Sequence, residues 1–371
     1  MIGTVASCVL GFRGPLIREL IAKGHKVYAF AIDYTSEQRQ FLKSLGVVPV
    51  DYKLSRSGLN FITDLKMMLQ LKSDLKEISP DIVLSYFVKP SIYGTLAASL
   101  AKVPIRIAML EGLGYVHTPN EYGLGLKKNL LRIIQGFLFT LSFNYATKVV
   151  FLNPDDPIDL SKIAFFSKDK VKILGGIGLD LLDYPYCKPD LTKPIRFIFV
   201  ARLLVEKGFY ELLKAFKIVQ KKYPNTELVV LGELDEDNPA GLTKENLDNL
   251  IMQKSFMYPG QVSNVSEWLS GAHVFVLPSY REGVPKSTQE AMAVGRPILT
   301  TNVPGCRETV IDDENGFLVP AFSVDKLAEK MIWFIENPEK IEQMGLISRR
   351  IAEEKFDVHK ANARMLKIMG L

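Results

Sequence analysis

The chain has 371 residues, more than a single hydrophobic core usually serves, so two domains are expected from a composition (47% hydrophobic, 23% charged) that is ordinary for a globular protein. Three scattered cysteines (Cys8, Cys187, Cys306) without CxxC spacing argue against a disulfide framework or a zinc site and fit a reducing cytoplasm. The net charge of +5 lies in the first half: about 22 Lys+Arg face about 15 Asp+Glu in residues 1–180, and the remainder is nearly balanced, which suits anionic lipid, a diphosphate or simply a solvated surface, since no nucleic-acid motif accompanies it.

Residues 1–10 have an apolar run but neither a basic flank nor a small-residue cleavage site. They read as a first strand over 3–9 rather than a signal peptide. Short apolar runs at 27–32, 82–86, 105–110 and 148–152 then alternate with segments of helical length, the rhythm of βαβ units around a parallel sheet. The most apolar long stretch, 129–146, is interrupted by Arg132, Gln135 and Asn144 and falls short of the roughly 18 apolar residues of a spanning helix. With Lys127, Lys128 and Arg132 beside Leu and Phe, residues 130–143 form either a membrane-docking face or a buried core helix.

The rhythm restarts after a Pro- and Asp-rich stretch, with strands expected at 196–200, 227–231, 256–258, 274–277 and 298–300, and a second Rossmann-like domain begins there. Residues 324–371 are helical, with a break near Phe356 and Asp357. The expected division is therefore an N-terminal domain at 1–180, a linker at 181–194, and a C-terminal domain at 195–355, with 356–371 a final helix.

Two segments carry chemistry. In residues 197–210, FIFVARLLVEKGFY, a buried strand delivers Arg202 and Lys207 into a loop and Gly208 opens the next helix. Ligands bind at the carboxyl ends of such strands, where a helix N-terminus favours anions, and two cations there suit a diphosphate. Residues 274–297, VFVLPSYREGVPKSTQEAMAVGRP, repeat the strand, loop and helix, with the helix starting near Pro285. Glu282 sits in the loop and Glu290 a little over one turn into the helix, so the two carboxylates can line one cleft at different depths. Gly283 allows close backbone approach, and the free N–H groups around Val284 to Ser287, a stretch that includes Pro285 and Lys286, can meet phosphate or sugar oxygens.

These residues, with EGVPKSTQEAMAVGRPILTTNVPGCRE around the glutamates, GFRGPLIRELIAKGHKV at 11–27, EGLGYVHT at 111–118 and ILGGIGLD at 173–180, resemble glycosyltransferase family 4 over nearly the whole chain. Within that family the chain is most similar to bacterial transferases that add N-acetylgalactosamine to a sugar-diphospho-undecaprenol. The resemblance implies a GT-B fold, α/β with two Rossmann-like domains facing a cleft and a C-terminal helix crossing back to the N-domain. It also implies an acceptor-binding N-domain, a C-domain that binds a UDP-sugar, and retention of anomeric configuration; no metal cofactor is expected, because Arg202 and Lys207 serve as the diphosphate's counter-charges and no credible DxD is present. By position, Arg202 and Lys207 would bind the donor diphosphate, Glu282 the transferred sugar and Glu290 the ribose. A loop at 11–14 would close over the phosphates through Gly14, with Arg13 touching an acceptor phosphate. Many family members have a histidine just after the strand at 105–110; here Glu111 stands there and His117 follows six residues later, so either is the candidate for the N-domain's catalytic group.

The implied activity is that of a hexosyltransferase in surface polysaccharide, O-antigen or glycoprotein glycan assembly. It would work in the cytoplasm, peripherally associated with the inner face of the cytoplasmic membrane, with no nucleic acid as partner. A nucleotide-sugar epimerase, a glycan phosphorylase or a non-catalytic nucleotide-sugar-binding protein is compatible with the same fold. The Asp235, Glu236, Asp237 run resembles a metal-binding DxD but lies in a polar stretch and reads as a solvated loop. Asp155, Asp156, Asp312 and Asp313 read as cap or turn residues.

Overall fold

The structure is a computed structural model, which describes residues 1–54, 61–121, 123–236, 238–253 and 255–371. The chain divides into two compact units: one of residues 1–116, 126–177 and 359–371, the other of residues 117–125 and 178–358. This differs from the expected division at residues 117–125 and in the linker at 181–194, both of which belong to the second unit.

The first unit runs α1 (Ala6–Ala22), β1 (Tyr28–Ala31), α2 (Ser36–Ser44), β2 (Val48–Asp51), α3 (Phe61–Ile78), β3 (Ile82–Tyr86), α4 (Val88–Leu100), β4 (Ile105–Leu110), α5 (Leu126–Tyr145), β5 (Lys148–Phe151), α6 (Asp155–Leu160) and β6 (Val171–Ile173). The first strand expected over 3–9 is not there. Its place in the sheet is held by residues 1–3: Ile2 bridges Phe30 on one side and Ser85 on the other, both in parallel. Ile2 N–H donates to the Leu84 carbonyl at 2.8 Å, and Tyr86 N–H donates to the Ile2 carbonyl at 3.0 Å. The apolar run continues past this stub because Ala6, Val9, Leu16, Ile17 and Leu20 form the buried face of a helix, a 3.6-residue periodicity hidden in a run apolar enough to suit either element. Residues 11–14 consequently lie inside α1 and not in a loop.

With the stub included, the parallel order is β2, β1, Ile2, β3, β4, β5, β6. This is the doubly wound arrangement, in which the chain starts at the centre and winds outwards in both directions. Phe30, Val83, Ala108, Val149 and Phe151 from the strands meet Leu71, Ile92, Phe139 and Phe143 from the helices in one core.

The second unit runs β7 (Arg196–Val200), α7 (Phe209–Lys222), β8 (Glu227–Leu231), α8 (Lys244–Met252), β9 (Met257–Gly260), α9 (Val265–Ser270), β10 (Val274–Leu277), α10 (Lys286–Val294), β11 (Ile298–Thr301), β12 (Gly316–Val319), α11 (Val324–Glu336) and α12 (Glu339–Ile351). Its six parallel strands are ordered β12, β11, β10, β7, β8, β9, again starting at the centre. Phe197, Phe199, Phe209, Phe216 and Phe275 are fully buried around it. A π-helical turn at Ala352–Phe356 marks the expected break, and α13 (Val358–Met369) follows. The end of α13 is held in the first unit, where Lys148 donates to the Ile368 carbonyl and Arg364 Nε to the Leu174 carbonyl at 3.1 Å.

Candidate active site

In the second unit the winding direction reverses between β7 and β10, and the loops leaving those two strands carry the cations and carboxylates singled out in the sequence. After β7 the chain turns through Arg202 into a short 3₁₀ turn, Val205–Lys207, and enters α7 through Gly208 at φ +71°. A Cβ on Gly208 would fall on the Pro278 carbonyl, so glycine is what lets the Lys207 loop lie against the loop that follows β10. Tyr280 N–H donates to the Glu206 carbonyl at 2.9 Å and ties the two loops together. Gly305, at φ +80°, plays the same part from the third side, since a Cβ there would strike the backbone of Glu282 and Gly283.

This packing brings Lys207 and Glu282 together although 75 residues separate them. Lys207 Nζ donates to Glu282 Oε1 at 2.6 Å, and Ser279 Oγ donates to the same oxygen at 2.7 Å. Glu282 N–H is fixed on the Pro304 carbonyl at 3.0 Å. Arg202 is more exposed and turns the other way: its Nη1 lies 2.6 Å from Asp235 Oδ2, on the loop after β8. The carboxylate of the DxD-like run is therefore engaged by an arginine, while Asp237 lies outside the described residues.

Pro285 precedes α10, whose first turn offers backbone N–H groups without an intrahelical acceptor. Gly283, Val284 and Pro285 are buried beside it. Glu290, one turn further along, is 8% exposed, and Lys286, four residues earlier, lies 3.6 Å from its Oε1. That separation is an ion pair without a hydrogen bond. Burial raises the Glu290 carboxyl above the ordinary carboxylate range, and Lys286 and the neighbouring Tyr184 phenol offset part of the rise. A carboxylate so placed is suited to accept from hydroxyl groups brought by a ligand. Behind the loop, burial pushes the Cys306 thiol up to about 12, so it is an inert part of the wall.

The first unit assembles a different cluster from residues the sequence suggested separately. Arg13, expected on a phosphate-facing loop, projects from α1 and is 3% exposed. Its guanidinium pairs with Glu111, which follows β4, and lies 4.7 Å from the centre of the Tyr86 ring at the end of β3. Gly14 is buried in the same helix. His117, the alternative to Glu111, is buried in a 3₁₀ turn, Tyr115–His117, and is grouped with the second unit. The structure thus joins Arg13 with Glu111 and Lys207 with Glu282. Sequence reasoning missed Ser279, although it stood three residues before Glu282 in a strand-to-loop turn, which was a usable signal. In sequence Asp235 reads as part of a solvated loop; its side chain is instead 13% exposed and engaged by Arg202, a pairing that local sequence does not reveal.

Two family profiles match the halves of the chain: one described as Glycosyl transferases group 1 over residues 188–350, and one described as Glycosyl transferase 4-like over residues 6–153. A curated relative, the N,N'-diacetylbacillosaminyl-diphospho-undecaprenol alpha-1,3-N-acetylgalactosaminyltransferase of Campylobacter jejuni, is 30% identical, with 88% of this chain and 86% of the relative covered. The UDP-Gal:alpha-D-GlcNAc-diphosphoundecaprenol alpha-1,3-galactosyltransferase of Escherichia coli is 25% identical over 74% of this chain and 71% of its own. In fold, the chain matches Anabaena HepE, crystallised with UDP-glucose, at a TM-score of 0.77 and 15% identity, covering 100% of this chain and 98% of the other. The fold is GT-B, built from two Rossmann-like units.

Proposed function

The chain belongs to this family of glycosyltransferases, and on that premise we propose that it moves a hexosamine, N-acetylgalactosamine in the first instance, from a UDP-sugar onto a glycan carried by undecaprenyl diphosphate, with retention of anomeric configuration. The observation that carries this reading is the meeting of Lys207, Glu282 and the α10 N-terminus at the point where the second sheet reverses its winding. The relatives' names carry a diphospho-undecaprenol acceptor, which supports a lipid-linked glycan as this chain's acceptor and, with it, a reaction at the inner face of the cytoplasmic membrane.

The donor diphosphate takes Lys207 and Arg202 as counter-charges, each leaving its carboxylate partner. Lysine suits such an exchange because its three donors rotate about a compact charge. Glu282, released from Lys207 but still held by Ser279, accepts from the transferred sugar, and Glu290 accepts from the ribose hydroxyls. The bond from the sugar C1 to the β-phosphate oxygen breaks with its electron pair leaving on UDP. The acceptor oxygen bonds to C1 from the same face, and its proton passes to the departing phosphate. Positive charge on the ring and negative charge on the phosphate both grow in this step, where fixed charges contribute most.

The test is a panel of UDP-sugars with a short-chain polyprenyl-diphosphate glycan, read by mass spectrometry. Transfer of one hexosamine to the acceptor is expected. Free isomerised sugar, sugar 1-phosphate, or tight donor binding without turnover would each overturn the reading. Because two side-chain cations serve the diphosphate, turnover is expected to persist in excess chelator; a loss of more than about 90% restored by magnesium would overturn that part.

A further inference from the structure

Helix α5 spans 20 residues. Its inner face, with Gly136, Phe139, Ser142 and Phe143, is buried in the first unit. Its outer face is also apolar. Leu126, Leu130, Ile133, Phe137 and Leu141 recur at spacings of three and four, on one side of the helix, and are 91%, 60%, 64%, 68% and 40% exposed. A helix at the surface of a water-soluble domain normally turns its polar side outwards, so this stripe is an unpartnered surface.

Phe165, 79% exposed, extends it. Its N–H donates to Thr140 Oγ1 at 2.9 Å and its carbonyl accepts from Asn144 Nδ2 at 3.1 Å, which fixes it beside the last turns of α5. The stripe has basic ends. Lys127 is exposed in the first turn of α5, and exposed Lys168 follows Phe165 by three residues; Lys162, on the other side of Phe165, is paired with Asp159 at 2.7 Å.

We infer that this face is the surface by which the protein docks on an anionic lipid bilayer, with α5 lying in the plane of the interface and its apolar stripe among the acyl chains. Charge decides between a bilayer and a second copy of the chain: the lysines at the two ends are neutralised by anionic headgroups, whereas two copies meeting across the stripe would set like charges against each other. Among the described residues no helix is long and apolar enough to cross a membrane, so α5 is assigned to the surface. The inference specifies the membrane contact that a lipid-linked acceptor calls for, and rests on that reading only for its purpose.

The experiment is flotation of the full chain with acceptor-free phosphatidylcholine vesicles containing about 30% phosphatidylglycerol, so that a failure of the transferase reading leaves the result standing. The wild type is expected to float at low salt. The Ile133→Glu/Phe137→Glu variant should lose about tenfold or more in partitioning, with circular dichroism and UDP affinity unchanged. Lys127→Gln/Lys168→Gln should weaken binding at low salt and leave the high-salt fraction unchanged. Tryptophan emission from Phe137→Trp should shift to the blue on vesicles and be quenched by brominated acyl chains. Flotation of the double glutamate variant at the wild-type level, or no flotation of the wild type at low salt, would overturn the inference. So would a dimer in sedimentation that the glutamates dissociate, which would give the face to a second copy.

Discussion

Each Rossmann unit sets a cation against a carboxylate just beyond the carboxyl ends of its strands, but Arg13–Glu111 and Lys207–Glu282 are built for different ends. The side chains of Arg13 and Glu111 are 4% and 9% exposed, and the guanidinium is stacked against Tyr86. Burial lowers its pKa to about 10, which still leaves it charged at neutral pH. Lys207 and Glu282 are 18% and 11% exposed, and the carboxylate has a second donor in Ser279. The arginine is fixed by planarity, stacking and burial. The lysine is a point charge that can change partners while Ser279 keeps Glu282 in place. A charge pair beside a site therefore says little about function until it is known whether either member can be released.

The largest effect expected from this contrast is on stability. Arg13→Ala leaves Glu111 buried without its cation, and a loss of about 3 kcal/mol or more in urea unfolding is expected, of which Arg13→Ala/Glu111→Ala should recover a part. Lys207→Ala should cost little stability, since Glu282 retains Ser279, but should lower the single-turnover rate about 100-fold, the scale for removing a group that holds developing charge. If Arg13→Ala unfolds at the wild-type midpoint, or Lys207→Ala is the variant that unfolds, the two pairs have been assigned the wrong way round.

Much of this was legible in the sequence because the strands at 82–86, 105–110, 196–200, 227–231 and 274–277 are short, buried on both faces and flanked by turns, which leaves few alternatives. The first strand was misplaced because an apolar run does not distinguish a buried strand from the buried side of a helix; the true strand is a three-residue stub whose role is seen only in its two bridges. Residues 48–51, 171–173 and 316–319 escaped notice for a related reason. They are edge or near-edge strands of three or four residues, and Pro49 weakens the first of them as a sequence signal. At the site, residue types and loop positions were readable, but partners were not. That Lys207 meets Glu282 depends on Gly208 and Gly305 letting three loops approach, a condition set by the sheet order rather than by local sequence.

A smaller effect separates the two glutamates. Glu282→Gln should chiefly lower turnover with donor bound, because in the proposed mechanism its carboxylate accepts from the sugar ring on which positive charge develops. Glu290→Gln should chiefly raise the Kd for UDP, about tenfold, because ribose hydroxyls do not change during the reaction. The pH dependence gives a second readout. Burial raises the Glu290 pKa in the folded state, so the folded protein binds that proton more tightly than the unfolded chain does. Its contribution to stability is fully present below the ordinary carboxylate pKa and is lost as pH rises through the raised value. At neutral pH the ionised group is therefore a cost, and Glu290→Gln, which cannot ionise, should unfold at slightly higher denaturant than the wild type while binding UDP less well. UDP affinity of the wild type should fall, on acidification, at a higher pH than an ordinary carboxylate would give, because a protonated Glu290 offers the ribose a poorer acceptor; the glutamine variant should show no such limb. Calorimetric titration of UDP across the acid range checks this. An acid limb that survives in Glu290→Gln but vanishes in Glu282→Gln would exchange the two roles, and make Glu282 the group whose ionisation the nucleotide requires.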